Sequence, residues 1–376
     1  MCSTNGAKVM VDERDKKWLA YAAKLAIKGR GRVHPNPMVG CVLVKENRLV
    51  GGGWHQEYGN NHAEVIATTN AQADTLGSTA YVTLEPCNHE GKTGPCSEHL
   101  IKMGVQKVVF AASEPGVAAA GGAKRLKEAG IEVRGPVDDF SLGEGVDPAF
   151  FYSARYGHTY LALKLAVSKD DKIAKDVGTR TFLTGEQANT EVHRIRSGFD
   201  GIVVGANTLR VDDPFLTVRQ LPYEPRVPPT RIVISSDGDL CTESNLFRCI
   251  KEFPVLVIVG ERTRVESINK LRSAGACVEV VRCAEKRVDL AESLQVMWEK
   301  GLKSVMCEGG AELAQAFCAL DLAQRLYLFR TERILGTKAV PVFSGGALPW
   351  NSKLWKQRGT EVNFGKDMLT VYDRER

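Results

Sequence analysis

His62-Ala63-Glu64, followed by Thr83-Leu84-Glu85-Pro86-Cys87-Asn88-His89 and Gly91-Lys92-Thr93-Gly94-Pro95-Cys96, is the stretch on which the reading of this 376-residue chain turns. One histidine and two thiols are three metal ligands, and a catalytic zinc site needs three protein ligands with the fourth position left for water. Glu64, two residues beyond His62, is a carboxylate that moves protons without binding the metal. The intervening sequence supports the grouping. A helix is expected from His62, Thr79–Leu84 reads as a buried strand, and Pro95–Met103 reads as a second helix. Cys87 then follows a strand end, and Cys96 opens a helix whose dipole favours a thiolate. His-x-Glu alone is a common triplet and a cysteine pair alone is ordinarily buried packing. The three pieces together, in this order, point to hydrolytic zinc chemistry.

The rest of the chain bounds the reading. Hydrophobic residues are 43% and charged residues 25%, ordinary globular composition rather than that of a disordered or fibrous chain. A net charge of +5 is too mild to announce a nucleic-acid binder and suits a small anionic substrate. No apolar run approaches the roughly 18 residues of a membrane span, and residues 1–17 hold no apolar signal core, so a cytoplasmic location is expected. Ten cysteines, scattered singly, read mostly as buried thiols, with only Cys87 and Cys96 in suggestive surroundings.

Helices alternating with apolar strands imply mainly parallel sheets covered on both faces, an α/β class. Asp15–Gly29 carries one apolar helix face, while Val39–Val44 and Arg48–Gly53 read as strands around a short polar turn. The rhythm breaks over Gly143–His158, with Pro148 and two aromatic pairs, which places two domains at residues 1–148 and 157–376. A second alternating series then runs from Tyr160–Val167 to Arg325–Phe329, with Gln220–Thr230 as a Pro-rich loop.

The His-x-Glu and two Pro-Cys pairs are a zinc deaminase signature, with eight residues between the cysteines in place of the usual two. With His34-Pro35-Asn36-Pro37-Met38-Val39-Gly40-Cys41 upstream, the first half resembles the deaminase half of the bifunctional riboflavin biosynthesis family RibD. The resemblance implies a cytidine-deaminase-like α/β/α domain, Zn2+ on His62, Cys87 and Cys96, and Glu64 as the catalytic acid and base. It also implies Asn36, His55, His89 and Lys92 along the substrate cleft. The implied reaction is hydrolytic deamination of 2,5-diamino-6-ribosylamino-4(3H)-pyrimidinone 5′-phosphate. One loop departs from the family: Glu114-Pro115-Gly116-Val117 and the following alanines replace Asp-Pro-Asn-Pro and a Gly-basic-Gly turn.

From Lys164 to Arg219 the chain resembles the family's reductase half, through Val203-Val204-Gly205 with Thr208 and Asp212-Asp213-Pro214-Phe215-Leu216-Thr217-Val218-Arg219. Glu308-Gly309-Gly310 matches a further turn. The resemblance implies a dihydrofolate-reductase-like α/β domain using NADPH and opening the ribosyl ring to a ribityl chain. It sets Lys164, Arg180, Arg196, Leu216, Arg219 and Glu308 on the substrate, with Arg196 and Arg219 at its phosphate. Ala166, Phe182, Thr208, Asp212, Ser236, Gly309 and Gly310 line the cofactor site. Arg180 replaces a family serine, Asp171 a turn glycine, and Ser235 an aspartate.

Two other readings stay open on the sequence: an active deaminase joined to a structural reductase fold, and a specialised relative acting on another pyrimidine. A deaminase acting on a flipped base lacks the basic-aromatic stripe that would track a nucleic-acid backbone. The expected partner is a phosphorylated pyrimidine, with neither nucleic acid nor membrane, in a homo-oligomeric dimer or tetramer.

Overall fold

The computed structural model describes residues 12–91, 94–137, 142, 143, 145–285, 287–345 and 348–375. Two compact units divide the chain, one ending at Tyr156 and the other beginning at Gly157.

The first unit runs α1 (Glu13–Ala26), β1 (Gly40–Lys45), β2 (Arg48–Trp54), α2 (Ala63–Ala71), β3 (Thr79–Leu84), α3 (Cys96–Lys102) and β4 (Lys107–Ala112). It closes with α4 (Gly122–Glu128), β5 (Glu132–Arg134) and α5 (Pro148–Tyr156). Asp12 caps α1 through the N–H groups of Arg14 and Asp15, and Leu19, Ala22, Ala23 and Ala26 form its buried face. Glu46 and Asn47 both take positive φ, the conformation of a two-residue hairpin turn, so β1 and β2 pair antiparallel. The sheet order is β2-β1-β3-β4-β5. β1 is antiparallel to both neighbours, so β2, β3, β4 and β5 all run in one direction and the mainly parallel sheet carries a single reversed strand.

Alternation along the strands builds two apolar layers. Cys41, Leu43, Ala80, Val82 and Val108 face Ala63, Ala67, Leu100 and Leu126, whereas Val42, Val44, Tyr81, Val109 and Ala111 face Leu19 and Ala22. Two glycines set how closely α2 lies on β2. A Cβ at Gly51 would stand 2.4 Å from the Ala67 carbonyl oxygen, and one at Gly53 2.6 Å from the Ala67 nitrogen. Gly53→Ala therefore pushes α2, with Glu64 on its first turn, away from the sheet. We expect a loss of about 1–3 kcal/mol in urea denaturation, together with reduced zinc retention on gel filtration.

The division between the units, at Tyr156 and Gly157, falls inside the break at Gly143–His158. The aromatic pairs read as a break form α5, and its Phe151 packs on Leu84 and Ala112 inside the first unit.

The second unit contains β6 (Tyr160–Val167), β7 (Lys172–Ala174), α6 (Glu186–Arg196), β8 (Gly201–Gly205), α7 (Ala206–Asp212), β9 (Thr230–Ser235), β10 (Val255–Gly260), α8 (Val265–Ser273) and β11 (Cys277–Val281). It continues with β12 (Cys283–Ala284), β13 (Arg287–Val288), α9 (Leu290–Glu299), β14 (Ser304–Cys307) and α10 (Ala311–Ala319). The last elements are β15 (Arg325–Thr331), β16 (Val340–Pro341), β17 (Trp355–Phe364) and β18 (Asp367–Arg374). Nine strands form one sheet in the order β11-β10-β9-β8-β14-β6-β15-β18-β17. The seven from β11 to β15 are parallel, and the hairpin β17–β18, which the sequence reading did not identify, is antiparallel. All six residues of β10 are buried, as expected of a strand covered on both faces.

At the turn before β7, Asp171 occupies φ 57°, the region a glycine would favour, and Arg330 Nη1 donates to its carboxylate at 2.8 Å. Asp170 accepts from the Ser168 hydroxyl and from the N–H groups of Leu335 and Gly336, which hold its carboxyl down at about 2. A depressed carboxyl stabilises the fold above its unfolded value and loses that contribution as pH falls through its folded value. Acid unfolding of the second unit should accordingly lose one component between about pH 4 and 2 in Asp170→Asn, measured by tryptophan fluorescence against the parent.

Candidate active sites

Three local events bring the zinc ligands together. His62 is the residue preceding α2, Cys87 follows β3, and Cys96 is the first residue of α3. A Cβ on Gly122 would fall 1.7 Å from the Pro86 carbonyl oxygen, so the glycine lets α4 begin directly against the Cys87 loop. The three ligand atoms lie within 4.8 Å of one another. His62 Nδ1 is 3.2 Å from Cys96 Sγ and 3.6 Å from Cys87 Sγ. A tetrahedral ion with Zn–N of about 2.0 Å and Zn–S of about 2.3 Å separates such atoms by about 3.6 Å, so the donor set fits zinc. The hydrogen bond from Cys96, reinforced by His62, pulls the Cys87 thiol down to about 4 against its burial.

Glu64 is 3% exposed, and burial raises its carboxyl above the ordinary range. A cleft of about 410 Å³ opens beside it, lined by Asn36, His55, His62, Glu64, Cys87 and His89 among others. His55 Nδ1 is 3.2 Å from the Asn61 carbonyl, which can only accept, so Nδ1 carries the proton. Its Nε2 then accepts from the Asn36 amide at 3.1 Å, which sets the orientation of that amide. His89 Nδ1 is buried with no hydrogen-bond partner among the described residues, a polar atom left for a ligand. Lys92 lies outside the described residues.

The altered loop forms one wall of this cleft through Glu114 and Ala119. Glu85 accepts from the N–H groups of Glu114 and Ala123 and so organises the loop. Sequence reading singled out neither Tyr58 nor Phe150, which also line the cleft, because nothing local marks an aromatic as facing a cavity.

In the second unit a cleft of about 1050 Å³ lies where β6, β8, β9 and β14 end. Parallel sheets bind ligands at that edge. Every residue that the resemblance sets on the reductase substrate or cofactor lines it. Gly310 stands before α10, and a Cβ there would be 3.0 Å from Thr208 Oγ1, so Gly309-Gly310 is a close-fitting cradle at a helix N-terminus. That geometry, with the size of the cleft, fits the diphosphate of a dinucleotide.

The charges sort into two groups. Arg196 and Glu308, each 9% exposed at the side chain, form a two-pronged ion pair at 2.7 and 2.8 Å, and Arg196 also donates to the Thr217 carbonyl. Arg210 pairs with Asp237, and Arg287 faces Glu312. Arg196, set at the substrate phosphate by the resemblance, has its fork on Glu308, while Lys164, Arg180 and Arg219 are the cleft cations without a carboxylate partner within salt-bridge distance among the described residues. Arg180 does not fill the cleft. It is exposed, stacks on Phe182 at 4.5 Å, and donates to the Asp212 carbonyl at 3.0 Å.

Comparison with known proteins covers both halves. Residues 12–112 match the cytidine and deoxycytidylate deaminase zinc-binding region, and residues 159–368 match the RibD C-terminal domain. The riboflavin biosynthesis protein RibD of Actinobacillus pleuropneumoniae is 34% identical, covering 98% of this chain and 97% of its own. That of Aquifex aeolicus is 32% identical over 97% of this chain and 100% of its own. Among solved structures, Acinetobacter baumannii RibD superposes with a TM-score of 0.77 at 30% identity, covering 97% of this chain and 99% of that one. A Thermotoga maritima diaminohydroxyphosphoribosylaminopyrimidine deaminase/5-amino-6-(5-phosphoribosylamino)uracil reductase superposes at 0.76 with 28% identity, over 96% and 99%. With a zinc-deaminase triad in one unit and a cationic dinucleotide cleft in the other, the chain belongs to the RibD family of bifunctional deaminase/reductases of riboflavin biosynthesis.

Proposed function

We propose that this chain deaminates 2,5-diamino-6-ribosylamino-4(3H)-pyrimidinone 5′-phosphate in its first unit and reduces the ribosyl side chain of the product in its second, yielding 5-amino-6-ribitylamino-uracil 5′-phosphate. The observation that carries this reading is the presence of two separate, chemically distinct clefts on one chain. Zinc on His62, Cys87 and Cys96 supplies Lewis-acid activation of water, and NADPH in the second cleft supplies the hydride.

The protein's own groups do the rest. Buried Glu64 takes a proton from the attacking water and gives it to the ring nitrogen, then carries the hydroxyl proton of the adduct to the amine, which leaves as ammonia as the carbonyl forms. Asn36, oriented by neutral His55, and His89 hold the pyrimidine. In the second unit Arg219 and Arg180 meet the phosphate dianion, and Lys164 and Glu308 face the ribosyl group. Thr208, Asp212, Ser236 and the Gly309-Gly310 turn hold the dinucleotide, with Ala166 and Phe182 against its rings.

The replacement of serine by arginine at position 180 makes this testable. Arg180→Ser should raise KM for the phosphorylated substrate of reduction about 5- to 10-fold, with kcat little changed and KM for NADPH unaffected. An unchanged KM would remove Arg180 from the phosphate site.

The decisive experiment gives zinc-loaded protein the diaminopyrimidine phosphate and records ammonia release and NADPH oxidation together. Both signals support the reading. Ammonia alone reduces the second unit to a structural role, and neither signal overturns the substrate assignment. The Glu114 wall favours a second reading, in which a related pyrimidine is the better substrate. No helix among the described residues is long and apolar enough to cross a membrane. A cytoplasmic location is part of the proposal, as is a homodimer or tetramer. The oligomer is supported by β17 ending the nine-stranded sheet with no further strand among the described residues, and light scattering on the purified protein checks it.

A further inference from the structure

The segment following α7 is held in an unfavourable backbone shape. Asp213, Leu216 and Gln220 all take left-handed φ values, of 38°, 54° and 61°, and none is a glycine. Such residues cost of order 1 kcal/mol each and persist only where their surroundings hold them. Asn245 holds the Asp213 end, donating to its carboxylate and its carbonyl, and two side chains of α6, one turn apart, hold the far end. Arg196 donates to the Thr217 carbonyl, and His193 Nδ1 accepts the backbone N–H of Arg219 at 3.0 Å, with Arg196 Nη1 3.5 Å away.

We propose that His193 is a positioning residue for reduction, whose Nδ1 acts as a fixed acceptor that aims Arg219 into the cleft as a phosphate contact. The inference rests on the reading of Arg219 as that contact and deepens it. Three observations support it beyond the distance. His193 is 7% exposed, so its ring has no freedom to serve solvent. The Arg219 guanidinium is itself braced, donating to Thr217 Oγ1 at 2.7 Å and lying over Phe215 at 5.2 Å, so anchoring its backbone fixes its head group too. Finally, the groups around the ring are Arg196, Arg219 and Glu308, and burial together with the two guanidinium charges drives the imidazole down to about 4. A neutral ring is needed, because an imidazolium would set an N–H against the Arg219 N–H.

Removing the acceptor leaves that N–H without its partner and frees the strained turn. The test uses full-length protein and the deaminated ribosylaminouracil phosphate, with kcat and KM measured separately by NADPH oxidation. His193→Leu should raise KM about tenfold with kcat nearly unchanged. His193→Asn, whose Oδ1 takes the place of Nδ1, should return KM close to the parent value, whereas His193→Gln, whose amide reaches further out, should not. The dephosphorylated riboside should show none of these differences. Arg219→Ala separates the two levels of the argument. If it raises KM and His193→Leu does not, the positioning role is overturned while the phosphate contact stands; if it leaves KM unchanged, the contact fails and the inference with it. Should His193→Leu not fold, the Asn and Gln pair decides alone, equal KM values overturning the proposal.

Discussion

Glu64→Gln should abolish most ammonia release, lowering its rate by about 10²- to 10⁴-fold, the contribution of a positioned acid-base group. The substitution keeps volume and hydrogen-bonding reach but cannot ionise. It lies on the first turn of α2, buried to 3% exposure and inside the cleft that also holds His62 and Cys87. Since Glu64 is not among the three converging ligands, zinc content should remain at the parent level. NADPH oxidation with the deaminated substrate supplied directly should also be unaltered. A fall of less than about tenfold would remove Glu64 from the proton path. Loss of zinc along with activity would show that the carboxylate shapes the site rather than moving protons.

The second large effect falls on the buried pair of the other unit. Arg196→Met keeps a long apolar stem and deletes the guanidinium, leaving the Glu308 carboxylate buried beside Lys164 with its two strongest hydrogen bonds gone. Removing one partner of a buried ion pair costs about 3–5 kcal/mol because the remaining charge is uncompensated. The Glu308 carboxyl, now held below its ordinary range by Arg196 despite burial, should shift upward and take up a proton. Thr217 also loses a donor to its carbonyl, so the strained 213–220 turn loosens. Urea denaturation followed in the second unit should show the loss, and reduction should fail while ammonia release continues. The double variant Arg196→Met/Glu308→Leu separates stability from function. It should recover much of the lost stability, as paired apolar replacements do, and none of the reductase activity. Recovery of activity would mean that Glu308 is only a structural counter-ion.

Short-range features were readable before the fold was known. Nearly all the strands of both sheets carry their period in the sequence, and β10 announces burial on both faces by an unbroken apolar run. The hairpin β17–β18 was not readable, since seven of the ten residues of β17 are exposed and the strand carries no apolar alternation. Nor was α5, whose aromatics look like a linker until Leu84 and Ala112 are seen to receive Phe151.

The sites divide the same way. His62, Glu64, Cys87 and Cys96 are legible because metal chemistry demands particular residue types at strand ends and helix starts, which local sequence encodes. The state of each cation in the reductase cleft is a different matter. Arg196 meets its counter-ion 112 residues away and Arg219 its backbone anchor 26 residues away, and no spacing rule connects such partners. The sequence by itself therefore determined the two-unit α/β architecture and the zinc chemistry, because periodicity and ligand identity are local properties. Only the tertiary structure decided which arginine is paired with Glu308 and which have no carboxylate partner among the described residues, because compensation of buried charge depends on distances that exist only after the chain has folded.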